Sequence, residues 1–276
     1  MYSSYTTLAE STESGVISFD ADGFSVGSAS GFNLSGASHV AWCWKAGGAA
    51  VSNTDGTITS QVSANQTAGF SIVSYTGNGI LGATIGHGLN KKPSIVIIRN
   101  RDTAGTDWGY LTDVIDGSNV FSYLNTTNAF GSSSTVFTSD TFSVGSGNNG
   151  NENTKRLIAY CWAEIEGFSK FGSYVGNLNA DGPFVYCGFK PAWVMIKRTD
   201  DTSNWNIRDS SRNSTNPTNL YLLANLNDPE GVTSSEIDFL SNGFKIRNTS
   251  TAFNASGGTY IFAAFAESPF TTANAK

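Results

Sequence analysis

The pentapeptide Gly23-Phe24-Ser25-Val26-Gly27 has the spacing of a nucleophilic serine, and His39 and several aspartates are residue types that could activate it. That chemistry needs the serine on a sharp strand-to-helix turn. This stretch instead begins at Asp22-Gly23, a hairpin signal, and leads into a polar loop. Its counterpart further along, Gly243-Phe244-Lys245-Ile246-Arg247, carries lysine in place of the serine, so the stretch reads as a hairpin. His87-Gly88 matches Cys187-Gly188, and either could offer a metal ligand. A metal site needs converging partners, however, and the chain has only 2 histidines, so both read as strand-end positions. Asp20-Ala21-Asp22-Gly23 opens like a calcium loop but lacks the later carboxylate of one. Glu164, Glu166 and Glu267 suggest the paired carboxylates that cleave glycosides, yet Glu164 and Glu267 occupy the same place in successive repeats and are structural equivalents. Neither a phosphate-binding loop nor a dinucleotide fingerprint occurs. These residues predict no catalytic group, no cofactor and no metal. The aromatics remain: Trp108 and Trp205 recur after a proline-led strand, and Trp193, with Tyr174 and Tyr186, could present ring faces to sugars. The same recurrence fits core packing, the ordinary fate of such residues.

Composition narrows the partners. Charged residues make up 14% of the chain, well below the roughly 25% of ordinary domains, and Gly, Ser, Thr and Asn dominate its polar part. A formal net charge of −6 with scattered basic residues argues against nucleic acid or an anionic membrane as the main partner. The 3 cysteines, Cys43, Cys161 and Cys187, are odd in number and widely spaced, so neither a disulfide framework nor a zinc site is encoded. No basic-then-apolar leader opens the sequence and no apolar run nears the roughly 18 residues of a membrane helix, so a soluble protein without membrane insertion is expected.

The elements that must position any site are strands. Val40-Ala41-Trp42-Cys43-Trp44 recurs as Ile158-Ala159-Tyr160-Cys161-Trp162 and as Ile261-Phe262-Ala263-Ala264-Phe265. At strand period, large residues occupy one face and mostly small ones the other, which predicts a central strand buried on both sides. Other landmarks recur at nearly constant spacing: Gly77-Asn78 as Gly176-Asn177, Lys92-Pro93 as Lys190-Pro191, and Tyr123-Leu124 as Tyr221-Leu222. The expected fold is all-β, with tandem antiparallel β-sandwich-like domains of about 100 residues and little helix. Residues 1–49, from the Met1–Thr7 lead onward, read as the C-terminal half of a truncated repeat, and 50–69 as a linker with a short β segment near Thr57–Val62. Residues 70–168 and 169–270 read as complete repeats and 271–276 as a tail. The missing front half implies either a piece of a longer array or strands borrowed from another subunit. Asn219–Leu226 could form a turn or two of helix, and Asp22-Gly23 and Asn242-Gly243 suit type I′ turns.

Taken together, Phe70–Gly79, Ile85–Pro93, Tyr123–Thr127, Ala159–Tyr174, Asp181–Arg198 and Asp238–Asn248 resemble the tandem repeats of tail-fibre and other virion structural proteins of tailed phages, marine ones especially. The resemblance spans nearly the whole chain. It implies a non-enzymatic virion component of a tail fibre or appendage, serving as a spacer and adhesin in host attachment. Such a protein is assembled in the host cytoplasm and acts outside the cell. Its expected partners are other virion proteins and a host-surface glycan or protein, and its expected state is a homo-oligomer, a trimer by class. A carbohydrate-binding module would share this fold with an exposed aromatic site, and a head-decoration or adaptor role fits the same residues.

Overall fold

The computed structural model describes residues 15–267, apart from the side chains of Ser234 and Ser235. The expectations for Met1–Thr7 and for the 271–276 tail lie outside the described residues. A hairpin, β1 (Val16–Phe19) and β2 (Phe24–Val26), leads into one helical turn, α1 (Ser30–Asn33). A first unit follows: β3 (Val51–Asn53), β4 (Ser60–Asn65), β5 (Phe70–Thr76), β6 (Thr84–Gly86), β7 (Ile95–Asn100), β8 (Gly109–Thr112), β9 (Val120–Tyr123), β10 (Gly131–Ser132), β11 (Thr141–Ser143) and β12 (Arg156–Trp162). The second unit comprises β13 (Ser169–Val175), β14 (Phe184–Tyr186), β15 (Pro191–Arg198), β16 (Asn206–Asp209), β17 (Thr218–Leu223), β18 (Gly231–Leu240), β19 (Gly243–Ile246) and β20 (Thr259–Ala266), with a helical turn, α2 (Thr251–Asn254), before β20.

Each unit builds one sheet of eight strands, ordered β10-β9-β8-β7-β12-β5-β4-β3 in the first and β13-β20-β15-β16-β17-β18-β19-β14 in the second. The pairing agrees over six strands, whereas β3 and β4 have no counterpart in the second sheet and β11-β6 stands apart where β19-β14 continues from β18. β12 lies between β5 and β7 as β20 lies between β13 and β15, and β6 pairs with β11 as β14 pairs with β19. All these pairs are antiparallel, and the fold is nearly all β. The second sheet curls until β18, β19 and β14 close over β15 and β20, giving a near-barrel.

The alternation seen in the sequence explains the layering. In β12, Leu157, Ala159 and Cys161 point into an outer core with Val73 and Val96, covered by Ile85 of β6 and Phe142 of β11. Tyr160 and Trp162 point the other way. In β20, Tyr260, Phe262 and Ala264 fill the near-barrel, while Ile261, Ala263 and Phe265 face out of it. The two outward faces meet. Ile95, Ile97, Trp108 and Tyr110 of the first unit and Phe171, Trp193, Met195, Trp205 and Ile207 of the second form one inter-sheet core. β7 is buried at every position because each of its faces serves a different core, which a run of β-branched residues suits.

Several expectations change. Residues 50–69 are not a linker: β3 and β4 add to the edge of the first sheet, with β4 paired to β5 along its length. Asn219–Leu226 is not helical, because Thr218–Leu223 is strand β17. Val40–Trp44 forms no strand, and Cys43 is exposed, not buried. Trp42 and Trp44 nevertheless keep the inward direction that the alternation predicts and pack on the inter-sheet core. The turns at Asp22-Gly23 and Asn242-Gly243 are not type I′, since none of these residues has positive φ. Gly243 is needed for a different reason: a Cβ there would lie 2.1 Å from the Val185 carbonyl oxygen of β14.

Candidate functional site

The five aromatics proposed as a sugar platform do not come together. Trp108, Trp193 and Trp205 sit in the inter-sheet core, where their faces are covered by other side chains. Trp205 packs on Tyr110 with ring centroids 4.6 Å apart, and its Nε1 donates to the Tyr123 carbonyl oxygen at 3.0 Å. Tyr174 packs against the near-barrel core, stacked on Tyr260, and its hydroxyl donates to the Phe253 carbonyl at 2.9 Å. Tyr186 alone of the five is largely exposed.

The reactive side chains are spoken for by the fold. Ser25 lies on β2 of the hairpin, and its hydroxyl donates to Asp20 across the same hairpin at 2.9 Å. His87 is fully buried: Nδ1 accepts from the Leu89 N–H at 3.2 Å, and Nε2 faces the Thr138 carbonyl at 3.3 Å. With Nδ1 accepting, Nε2 carries the proton and donates, leaving no lone pair for a metal. Burial also keeps this imidazole below its ordinary range. Cys161 and Cys187 are buried, and burial pushes both thiols up to about 12, far from thiolate chemistry. Lys197 is fully buried, its amine lowered to about 8 by desolvation, and it donates to the Arg198 carbonyl. Glu164 pairs with Lys170 and Glu267 with Lys190, each at 2.8 Å, so both equivalent carboxylates are held in ion pairs, though by lysines from different places in the repeat. Among the described residues, no group of three or more His, Cys, Asp or Glu gathers where it could hold a metal ion, and no helix is long and apolar enough to cross a membrane.

The first unit carries a cleft of about 610 Å³, lined by Tyr110, Phe121, Tyr123, Thr135 and Asn149 among others. Its origin lies in a difference between the units. β18 runs for ten residues and closes the near-barrel, whereas β10 has two and gives way to an irregular Ser-rich run. In the second unit the matching space holds Arg208, whose guanidinium lies 5.0 Å from the Tyr221 ring centroid and pairs with Glu236. In the first, Leu111 takes the place of Arg208 and the space opens to solvent. The lining combines hydroxyl, amide and aromatic groups with aliphatic Ile98, Leu111 and Val144, and none of the lining residues carries a formal charge. Sequence reasoning missed this cleft. Aligning Trp108–Thr112 against Trp205–Asp209 would have shown Leu111 where the second unit has Arg208.

The fold and these sites define a layered all-β protein in which the repeated aromatics pack. Over residues 1–269 the chain matches the family described as a domain of unknown function, DUF7483, and it belongs to that family. No curated protein and no solved structure matches it.

Proposed function

We propose that the chain is a non-enzymatic structural component of a phage virion, a tail-fibre or appendage segment that carries host-attachment surfaces, built from tandem repeats of about 100 residues. The observation that carries this reading is that two units sharing a six-strand order, β10-β9-β8-β7-β12-β5 in one and β18-β17-β16-β15-β20-β13 in the other, pack against each other through one aromatic core, on which Trp42 and Trp44 also pack. A repeated array locked in this way holds distance and orientation, which is what a projecting appendage requires. The uncharged polar composition suits a surface working beside a cell envelope, and the motif set resembles that of phage fibres. Oligomerisation as a trimer and contacts with other virion proteins belong to the same proposal. The test is labelling of virions with antibody raised against the chain: gold on tail appendages is expected, and particles that never label, or label only on heads, would overturn it.

The cleft favours a second reading, a carbohydrate-binding module. An uncharged space with hydroxyl and amide donors beside the partly exposed Phe121 matches what a sugar ring needs. Glycan-array binding that is lost in Phe121→Ala, with unchanged unfolding, supports this reading; absence of binding to any host polysaccharide removes it.

A further inference from the structure

Residues 15–45 repeat local features of the second half of each complete unit. Phe19 faces Phe24 across the β1–β2 hairpin as Phe137 faces Phe142 and Phe239 faces Phe244. The Asn33 N–H donates to the Ala29 carbonyl as Asn151 does to Gly147 and Asn254 to Ser250. Gly36, Thr154 and Gly257 then share left-handed φ values of 77°, 65° and 69°. Trp44 finally meets its own equivalents, edge-on to Trp162 at 6.1 Å and to Phe265 at 5.3 Å.

What differs is the cover. Phe142 and Phe244 are fully buried, and Phe137 and Phe239 are 5% exposed, but Phe24 is 37% and Phe19 88% exposed. In the complete units the cover is the first half of the repeat. β6 or β14 lies along the strand that bears Phe142 or Phe244, and β5 with β7, or β13 with β15, flanks the last strand on both edges. Among the described residues, no backbone hydrogen bond reaches Val40–Trp44. Asn254 accepts from the Asn177 N–H and donates to the carbonyls of Asn179 and Asn248; Asn33 keeps only the last of these, to Gly27. Gly243 has β14 against it, whereas a Cβ on its equivalent Gly23 would meet nothing within 4 Å. Counting back from Phe19 and Phe137, residues 1–14 correspond to 119–132 and so do not match the first half.

We propose that residues 15–45 are the acceptor half of a split repeat, completed by a polypeptide segment from outside residues 1–276 that carries the first-half pattern of this chain's own units. That pattern is an alternating Phe-Ser-Ile-Val-Ser-Tyr strand, a Gly-Asn turn, and a Lys-Pro-led apolar strand such as Ile95–Arg99. The donor presents one edge to each side of Val40–Trp44 and a short strand to Phe24–Val26. A second copy of this chain does not fit, because its strands of that type are already paired within their own units. The proposal is independent of the virion reading.

Cys43 reports on it. It is exposed, while Cys161 and Cys187 are buried, and its equivalents Cys161 and Ala264 are fully covered by their flanking strands. The full chain alone should react with Ellman's reagent at one thiol, lost in Cys43→Ala. With a copy of residues 66–118, which contains no cysteine, fused ahead of Met1, Cys43 labelling should slow about a hundredfold and amide exchange at Ala41–Trp44 should slow with it. Phe24→Asp in the fusion should restore labelling. Adding the 66–118 polypeptide in trans gives the same readout if the fusion aggregates, and a scrambled segment is the control. Cys43 labelling as fast as in the scrambled control in both arms overturns the proposal. So does a chain that dimerises by itself and thereby protects Cys43, which would assign the surface to a second copy.

Discussion

Truncating Trp205 should weaken both units at once. Its side chain belongs to the second unit, but its neighbours are Tyr110 at 4.6 Å and Phe130 at 5.9 Å in the first, and its Nε1 donates to the Tyr123 carbonyl there. It is 1% exposed, so Trp205→Ala opens a cavity between the sheets, a change that typically costs about 3–5 kcal/mol. The lost hydrogen bond adds little, because the Tyr123 carbonyl still accepts from the Thr126 N–H at 3.2 Å and is not left unpartnered. With a guanidinium dependence of about 4 kcal/mol per molar, a loss of about 4 kcal/mol lowers the midpoint by about 1 M. Trp205→Phe, which keeps most of the volume, should cost about 1–2 kcal/mol. The measurement is equilibrium unfolding followed by tryptophan fluorescence and far-ultraviolet circular dichroism. One transition shifted as a whole by both probes is expected. Two separate transitions, with the first unit's unmoved, would refute the idea that the inter-sheet core couples the units.

Three further outcomes follow from buried polar groups. Arg208→Met leaves Glu236 buried without its partner and should cost about 3–5 kcal/mol, whereas adding Glu236→Leu should recover most of it; thermal melts of the single and double variants decide this. Asn254→Ala strips partners from three backbone groups and should cost about 1–3 kcal/mol, whereas Asn33→Ala, its exposed equivalent, should not shift the melt measurably. Because burial lowers the His87 imidazole, the unfolded chain binds a proton below about pH 6.5 that the folded chain does not, so stability is full above that pH and falls as the pH drops through it. Denaturation midpoints from pH 7 to 5 should show this slope, and His87→Cys, the residue type found at the equivalent Cys187, should flatten it.

Legibility in the sequence followed the strength of the alternating pattern. β12 was readable as a central strand because large and small residues separate onto its two faces, and β20 because it recurs at the same place with apolar residues on both faces; in each strand both faces proved to be cores. Val40–Trp44 carries the same alternation, but a strand also needs neighbours to bond to, and side-chain pattern says nothing about whether they are present. β3 was hidden, and β4 was legible only as a short β segment near Thr57–Val62, because their surroundings are Gly, Ser, Thr and Asn, with Ile58 and Val62 as the buried apolar residues. β17 looked helical because Leu220-Tyr221-Leu222-Leu223 is a short apolar run without period-2 contrast. The inter-sheet core was out of reach for a different reason. It exists because the outward faces of two sheets meet, and periodicity identifies a buried face without naming what buries it.

The charge arrangement limits how any outer surface can recognise a target. The ion pairs are local and mutual: Arg156 with Asp102, Lys170 with Glu164, Lys190 with Glu267, Arg198 with Asp200, and Lys245 with Asp181. Each neutralises its partner at contact distance, so these groups add little field beyond a Debye length of about 8 Å at physiological salt. The cleft of the first unit is itself uncharged, and Phe121 and Tyr123 line it among hydroxyl and amide groups. Binding there rests on hydrogen bonds and ring contact, whose strength does not depend on counterions. Affinity for a neutral glycan should therefore change less than about twofold between 50 and 500 mM salt. A steep loss of affinity with salt, measured by titration calorimetry across that range, would show that recognition runs through unpaired charge elsewhere on the molecule and would remove the cleft as its seat.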